Sequence, residues 1–130
     1  MNYLADTVAL IRHMEQHPAL GQRARRIFQE ADAGYHRIYI SSISLMEILY
    51  LSEARKIVLK IQDVITAAAA SSNYLIYPVD AQVIVSAAEI DDIRELHDRI
   101  IAGTARHLAV PISTSDQILS RSKHISTIWI

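Results

Sequence analysis

The chain reads as an α/β fold, a three-layer α/β/α sandwich about a central parallel sheet of about five strands. Three observations lead there. Short runs rich in Ile and Tyr, too short for helices, recur along the chain. Longer segments with apolar residues at helical spacing separate them. The two kinds alternate, and alternating strands and helices pair in parallel through right-handed crossovers.

In chain order, Asn2 to Ala5 is the first strand, and a helix begins near Val8. Ala24, Ile27, Phe28 and Ala31 repeat at i, i+3, i+4, i+7 and mark a helix. Arg37 to Ser41, centred on Ile38-Tyr39-Ile40, is the second strand. Ser44-Leu45-Met46-Glu47 after it matches a capping box. Ile57, Ile61, Val64, Ile65 and Ala68 form a longer helical pattern. Tyr74 to Tyr77 is the third strand, stopped by Pro78, and Val83, Ile84, Ala87 and Ala88 mark the helix after it. Ile101, Thr104, Ala105 and Leu108 mark another. Pro111 to Ser113 and Thr127 to Ile130 are the last two strands, with a helix over Gln117 to Ser122 between them.

The 130 residues suit one domain spanning 1–130. At 51% hydrophobic residues the chain is not disordered. It has no cysteine, which excludes disulfides, zinc–thiolate sites and thiol nucleophiles. No basic segment followed by a long apolar one opens the chain, and no stretch approaches a membrane span. A cytoplasmic protein is the expectation. Three glycines and three prolines leave no linker or repeat. The net charge of −1 is not that of a general nucleic-acid binder, so any RNA contact rests on a local basic group or on bound cations. The basic residues fall in loose groups (Arg23, Arg25 and Arg26; Arg55, Lys56 and Lys60; Arg121 and Lys123), mostly solvated helix faces. The histidines show no metal-ligand spacing, and no nucleophile elbow or Gly-rich phosphate loop is present.

Sites in parallel α/β folds form at the carboxyl ends of strands. Four acids fall at strand ends or helix starts: Asp6 after the first strand, Glu47 after the second, Asp98 opening the helix before the fourth, and Asp116 after the fourth. Each also has a structural reading. Asp6 and Asp116 are N-cap candidates, Glu47 belongs to the capping-box pattern, and Asp98 favours the positive end of its helix. The functional reading rests on the four together.

Their local sequences resemble the PIN-domain family over essentially the whole chain. Asn2-Tyr3-Leu4-Ala5-Asp6-Thr7 resembles the opening strand of PIN domains, which runs into Asp-Thr. Ile43-Ser44-Leu45-Met46-Glu47-Ile48 is similar to their Ser-x-x-Glu motif. Leu96-His97-Asp98-Arg99-Ile100-Ile101-Ala102-Gly103-Thr104-Ala105 resembles the Asp-Arg-x-Ile-Ala-x-x-Ala helix. Val110-Pro111-Ile112-Ser113-Thr114-Ser115-Asp116 is similar to the strand running into Thr-x-Asp, and Ile128-Trp129-Ile130 resembles the last strand. The departures are Val8 and Arg12, where many relatives carry His and Trp, and Gly103, where alanine is common. None removes a carboxylate.

Among PIN domains, short chains of this kind resemble the VapC toxins of toxin–antitoxin pairs. That resemblance implies a metal-dependent endoribonuclease held by a VapB-type antitoxin, with an RNA substrate. It implies Asp6, Glu47 and Asp98 as ligands of one Mg²⁺ or Mn²⁺, and Asp116 as ligand of a second ion or orienter of bound water. Thr114 would hold that water, and Arg99 is either a backbone contact to RNA or a solvated arginine. Hard divalent ions prefer oxygen donors, and clustered carboxylates repel unless a cation sits among them. Apolar residues exceed what one helix face needs at Ile48, Leu49, Leu51, Ile57, Val58 and Leu59, marking an antitoxin groove, a homodimer interface or core. A non-catalytic PIN-like RNA- or protein-binding module is the alternative. A receiver-like signalling domain fits poorly, since Asp6 stands alone after the first strand and no lysine follows the strand at Ser113.

Overall fold

The computed structural model describes all 130 residues. The strands are β1 (Asn2–Ala5), β2 (Arg37–Ser41), β3 (Tyr74–Tyr77), β4 (Ile112–Ser113) and β5 (Thr127–Ile128). The helices are α1 (Thr7–Met14), α2 (Gln22–Asp32), α3 (Ser42–Glu53), α4 (Ile61–Ala69), α5 (Ala81–Ala88), α6 (Leu96–Leu108) and α7 (Gln117–Arg121). The five strands form one sheet in the order β3-β2-β1-β4-β5, and every pairing is parallel. The expected α/β/α sandwich is therefore the fold.

Strand alternation divides the core between the two faces of the sheet. Tyr3, Ala5, Ile38 and Ile40 point to one face and pack with Leu10, Phe28, Ile48 and Val64 from α1, α2, α3 and α4. Leu4 and Ile112, paired across β1 and β4, point to the other and meet Ile101 and Ala105 of α6. Leu119 of α7 closes that side against Ala102, Ile90 and Ile93.

The strand order reverses at β1. The chain moves outward through β2 and β3, then returns to lay β4 on the other side of β1. Helices after β1 and after β4 then lie on opposite faces and leave a crevice above the two strand ends. Asp6 and Thr114 are the first residues past those ends.

The last two strands are shorter than the sequence suggests. Pro111 has no N–H to give, although its carbonyl accepts Leu4 N at 2.9 Å. Trp129 leaves the sheet: its carbonyl accepts Ala24 N at 3.0 Å, and Arg12 lies over its ring at 5.7 Å. That carbonyl would sit 2.1 Å from a Cβ at Gly21, so only glycine fits there. Gly103, where alanine is common in the family, has a similar reason: its Cβ would lie 2.7 Å from Ala87 Cβ and 2.8 Å from Ala87 N, where α5 and α6 cross closely.

Two local expectations change. The cap of α3 is Ser41, whose hydroxyl accepts Ile43 N at 3.2 Å, so Ser44 to Glu47 is helix interior and not a capping box. The helical pattern assigned from Ile57 onward starts as α4 only at Ile61. Of the apolar excess, Ile48 and Leu59 are core, while Leu49 and Val58 are exposed. No helix is long and apolar enough to cross a membrane.

Candidate metal centre

Asp6 follows β1 and caps α1. Its backbone N–H donates to Ser113 O at 3.1 Å, which ties it to the end of β4. Its Oδ1 accepts Thr7 N at 2.7 Å, and its Oδ2 accepts the Thr114 hydroxyl at 2.6 Å. Thr114 Oγ1 in turn accepts Asp116 N at 3.0 Å. Asp116 caps α7, with Oδ1 accepting Leu119 N at 3.0 Å. Both acids are thus N-caps, and the cap geometry aims them into the crevice.

Glu47 enters from the second turn of α3, with Oε1 3.0 Å from Thr7 Oγ1. Asp98 enters from the first turn of α6. It does not open that helix: Glu95 is the cap, accepting Asp98 N at 2.7 Å.

The other three carboxylates lie near enough for their charges to act on Asp98. Burial pushes the Asp98 carboxyl up to about 6, and the charges of Asp116, Glu95, Asp6 and Glu47 push the same way. Burial also raises Asp6, against the hydrogen bonds from Thr114 and Thr7 and with the Asp116 charge. Burial raises Glu47 too, opposed by the Thr7 hydrogen bond and the nearby His97. A fifth acid, Glu95, therefore belongs to this field, and sequence reasoning missed it. Its only signal is its place three residues before Asp98, the spacing of a cap.

A second acidic group lies elsewhere. The ligand atoms of Asp91, Asp92 and His124 all lie within 4.8 Å of one another, a meeting that spacing in the sequence did not suggest. Here the carboxylates already have hydrogen-bond donors and a lysine beside them. His124 Nε2 is 2.9 Å and Lys123 Nζ 3.9 Å from Asp91, and Asp92 accepts Ser122 Oγ at 2.9 Å and Lys123 N at 3.0 Å. The His124 bond holds Asp91 below the usual carboxylate range, and the Lys123 N–H does so for Asp92. This group tethers two loops. The shifts run in opposite directions, up for Asp6, Glu47 and Asp98 and down for Asp91 and Asp92.

The donor set of the crevice fits a hard divalent ion. It offers several carboxylates, no thiolate, and a deficit of positive charge that a cation would relieve. A cavity of about 750 Å³, lined by Leu10, His13, Asp32, Val64 and Tyr74 among others, lies between α1, α2 and α4 and contains none of the four acids.

The PIN domain family model matches residues 3–124. The chain belongs to the PIN-domain family. This PIN domain is similar in fold to VapBC2 from Rickettsia felis bound to a DNA fragment from its promoter, with 22% identity over 100% of each chain and a TM-score of 0.72. It is also similar to DNA-bound VapBC from Salmonella typhimurium, with 21% identity over 98% of this chain and 97% of that one and a TM-score of 0.71. FitAcB from Neisseria gonorrhoeae matches at 20% identity over 97% and 96%, with a TM-score of 0.63. No curated protein matches the chain.

Arg99 of this PIN domain is not the solvated arginine of the sequence reading. Its Nη2 donates to Ala87 O at 3.2 Å, at the carboxyl end of α5, and its Nε is buried. A guanidinium suits the negative end of a helix dipole, so the geometry gives Arg99 a capping role between α5 and α6.

Proposed function

We propose that this PIN domain, residues 1–130 acting as one unit, is a metal-dependent endoribonuclease and the toxin of a VapBC-type toxin–antitoxin pair. The observation that carries the nuclease reading is the gathering of Asp116, Glu95, Asp6 and Glu47 about Asp98. Such a field is costly without a cation and serves one well.

In this reading Asp6, Glu47 and Asp98 hold Mg²⁺ or Mn²⁺, directly or through water. When bound, the ion lowers the pKa of water and offsets the charge that builds on the scissile phosphate. The chain's own residues do the rest. Thr114 donates to Asp6 and accepts from the Asp116 backbone, which keeps both carboxylates at the crevice. Asp116 keeps Oδ1 on its helix cap and has its other oxygen for a second ion or for water. RNA comes to an acidic crevice through the bound cation, in keeping with the net charge of −1.

Partner and location follow from the same reading. The similar structures include VapBC assemblies, which supports a VapB-type antitoxin as the partner and the cytoplasm as the location. Met46, Leu49 and Tyr50 form an exposed apolar ridge on α3, and it supports a homodimer.

The test is cleavage of total cellular RNA by the purified protein with Mn²⁺ or Mg²⁺, beside EDTA and an Asp98→Asn preparation. Metal-dependent cleavage that disappears in the variant supports the nuclease. Absence of both cleavage and Mn²⁺ binding in the wild type would leave a non-catalytic PIN-like binding module.

A further inference from the structure

Thr7 and Ser44 sit beneath the crevice and are almost wholly buried, at 3% and 0% exposure. Thr7 Oγ1 lies 2.7 Å from Ser44 Oγ and 3.0 Å from Glu47 Oε1. A hydroxyl has one proton and two lone pairs. An ionised carboxylate only accepts, and hydrogen bonds to it are the stronger kind. The Thr7 proton therefore goes to Glu47, and Ser44 must donate to Thr7.

We propose that Thr7 is a positioning residue for Glu47, holding one carboxylate oxygen through a relay that runs from the Ser44 hydroxyl to the Thr7 hydroxyl to Glu47 Oε1. The inference rests on the metal-binding reading above and deepens it. Thr7 touches no substrate. It acts by where it leaves the other oxygen, Oε2, which takes no hydrogen bond from the protein.

Three features support the relay. Glu47 stands on α3, remote in sequence from Asp6, and its long side chain has several rotamers to lose. Thr7, the first residue of α1, directly follows Asp6, and its backbone N–H already binds Asp6 Oδ1 at 2.7 Å. One residue thus grips both carboxylates, by its amide on Asp6 and its hydroxyl on Glu47. Thr114 grips Asp6 from the other side in the same way. Outer partners that orient ligand carboxylates typically matter about 10–100-fold in metal affinity.

Ser44 also explains itself in this light. Hydroxyl side chains inside helices usually point outward or bond back to their own helix. Ser44 instead faces inward, across to Thr7 of α1, where an alanine would make no such bond.

The experiment measures Mn²⁺ binding by calorimetry on the full chain, with thermal melting of each variant. Thr7→Val keeps the volume and removes the hydroxyl. It is expected to weaken Mn²⁺ binding by about tenfold or more, and Thr7→Ser to recover most of the loss. Ser44→Ala, a substitution that helix propensity favours, is expected to weaken binding by a smaller factor of about three. In a Glu47→Gln background, Thr7→Val is expected to add little, because the two act as one unit. Wild-type binding matched by Thr7→Val, or an equal loss from Thr7→Val with and without Glu47, would overturn the relay alone. No Mn²⁺ binding by the folded wild type would overturn the metal reading and the relay with it.

Discussion

The Thr114 hydroxyl donates to Asp6 Oδ2 at 2.6 Å, joining residues 108 positions apart. The bond spans the point where the strand order reverses, with Asp6 past β1 and Thr114 past β4. It offsets part of the burial that raises the Asp6 carboxyl. Thr114→Val is expected to remove that offset, weaken Mn²⁺ binding by about tenfold, and cost about 1 kcal/mol of stability. Thr114→Ser should keep most of both. Calorimetric titration with Mn²⁺ and a denaturant melt check this, and unchanged affinity in the valine variant would remove Thr114 from the site.

The pH dependence follows from Asp98. Its carboxyl rises from the ordinary 3.8 to about 6 in the folded chain. The folded state then binds more protons than the unfolded state between about pH 4 and 6. This contribution to stability is present at pH 4 and is lost as pH rises through 6. Discounted for the partial exposure of Asp98, it amounts to about 1 kcal/mol. Asp98→Asn is expected to raise the melting temperature of the metal-free protein by about 4 °C at pH 7.5 and much less at pH 4. A variant less stable than wild type at pH 7.5 would contradict the crowded-acid description.

Metal should reverse that penalty. Mn²⁺ added at 100 times its Kd stabilises a protein that binds it only when folded by about 2.7 kcal/mol. The gain in melting temperature is expected to be full at pH 7.5 and to fall as pH drops below about 6, where protons compete for Asp98. Melting with Mn²⁺ and with EDTA at the two pH values reads this directly. An equal shift at pH 5 and 7.5 would place the ion away from Asp98.

Gly103 is held by packing. A Cβ there meets Ala87 Cβ at 2.7 Å and its backbone N at 2.8 Å, and backbone does not give way easily. Alanine is intrinsically favoured over glycine in helices by about 1 kcal/mol. Overpacking is expected to exceed that, so Gly103→Ala should be net destabilising by about 1 kcal/mol. A thermal melt more stable than wild type would mean that α5 moves away at little cost.

The sequence by itself determined the layer order, because the alternation of short β-branched runs with helical periodicity is a local property. It also placed Asp6 and Asp116 at strand ends, since capping by an acid has a local signature. The four carboxylates carried both a structural and a functional reading, and nothing local chose between them. Tertiary structure added what no local signal held, the approach of Asp116, Glu95, Asp6 and Glu47 to Asp98. It also decided where α3 begins. Ser-x-x-Glu at Ser44 matches a capping pattern, but β2 runs straight into the helix at Ser41, so Ser44 turns inward to Thr7. The Thr7–Glu47 bond, the Arg99 cap on α5 and the tight seat of Gly103 were all illegible for one physical reason. Each depends on which distant backbone passes within a few ångströms, and that is set by sheet order and helix crossing rather than by neighbours in the chain.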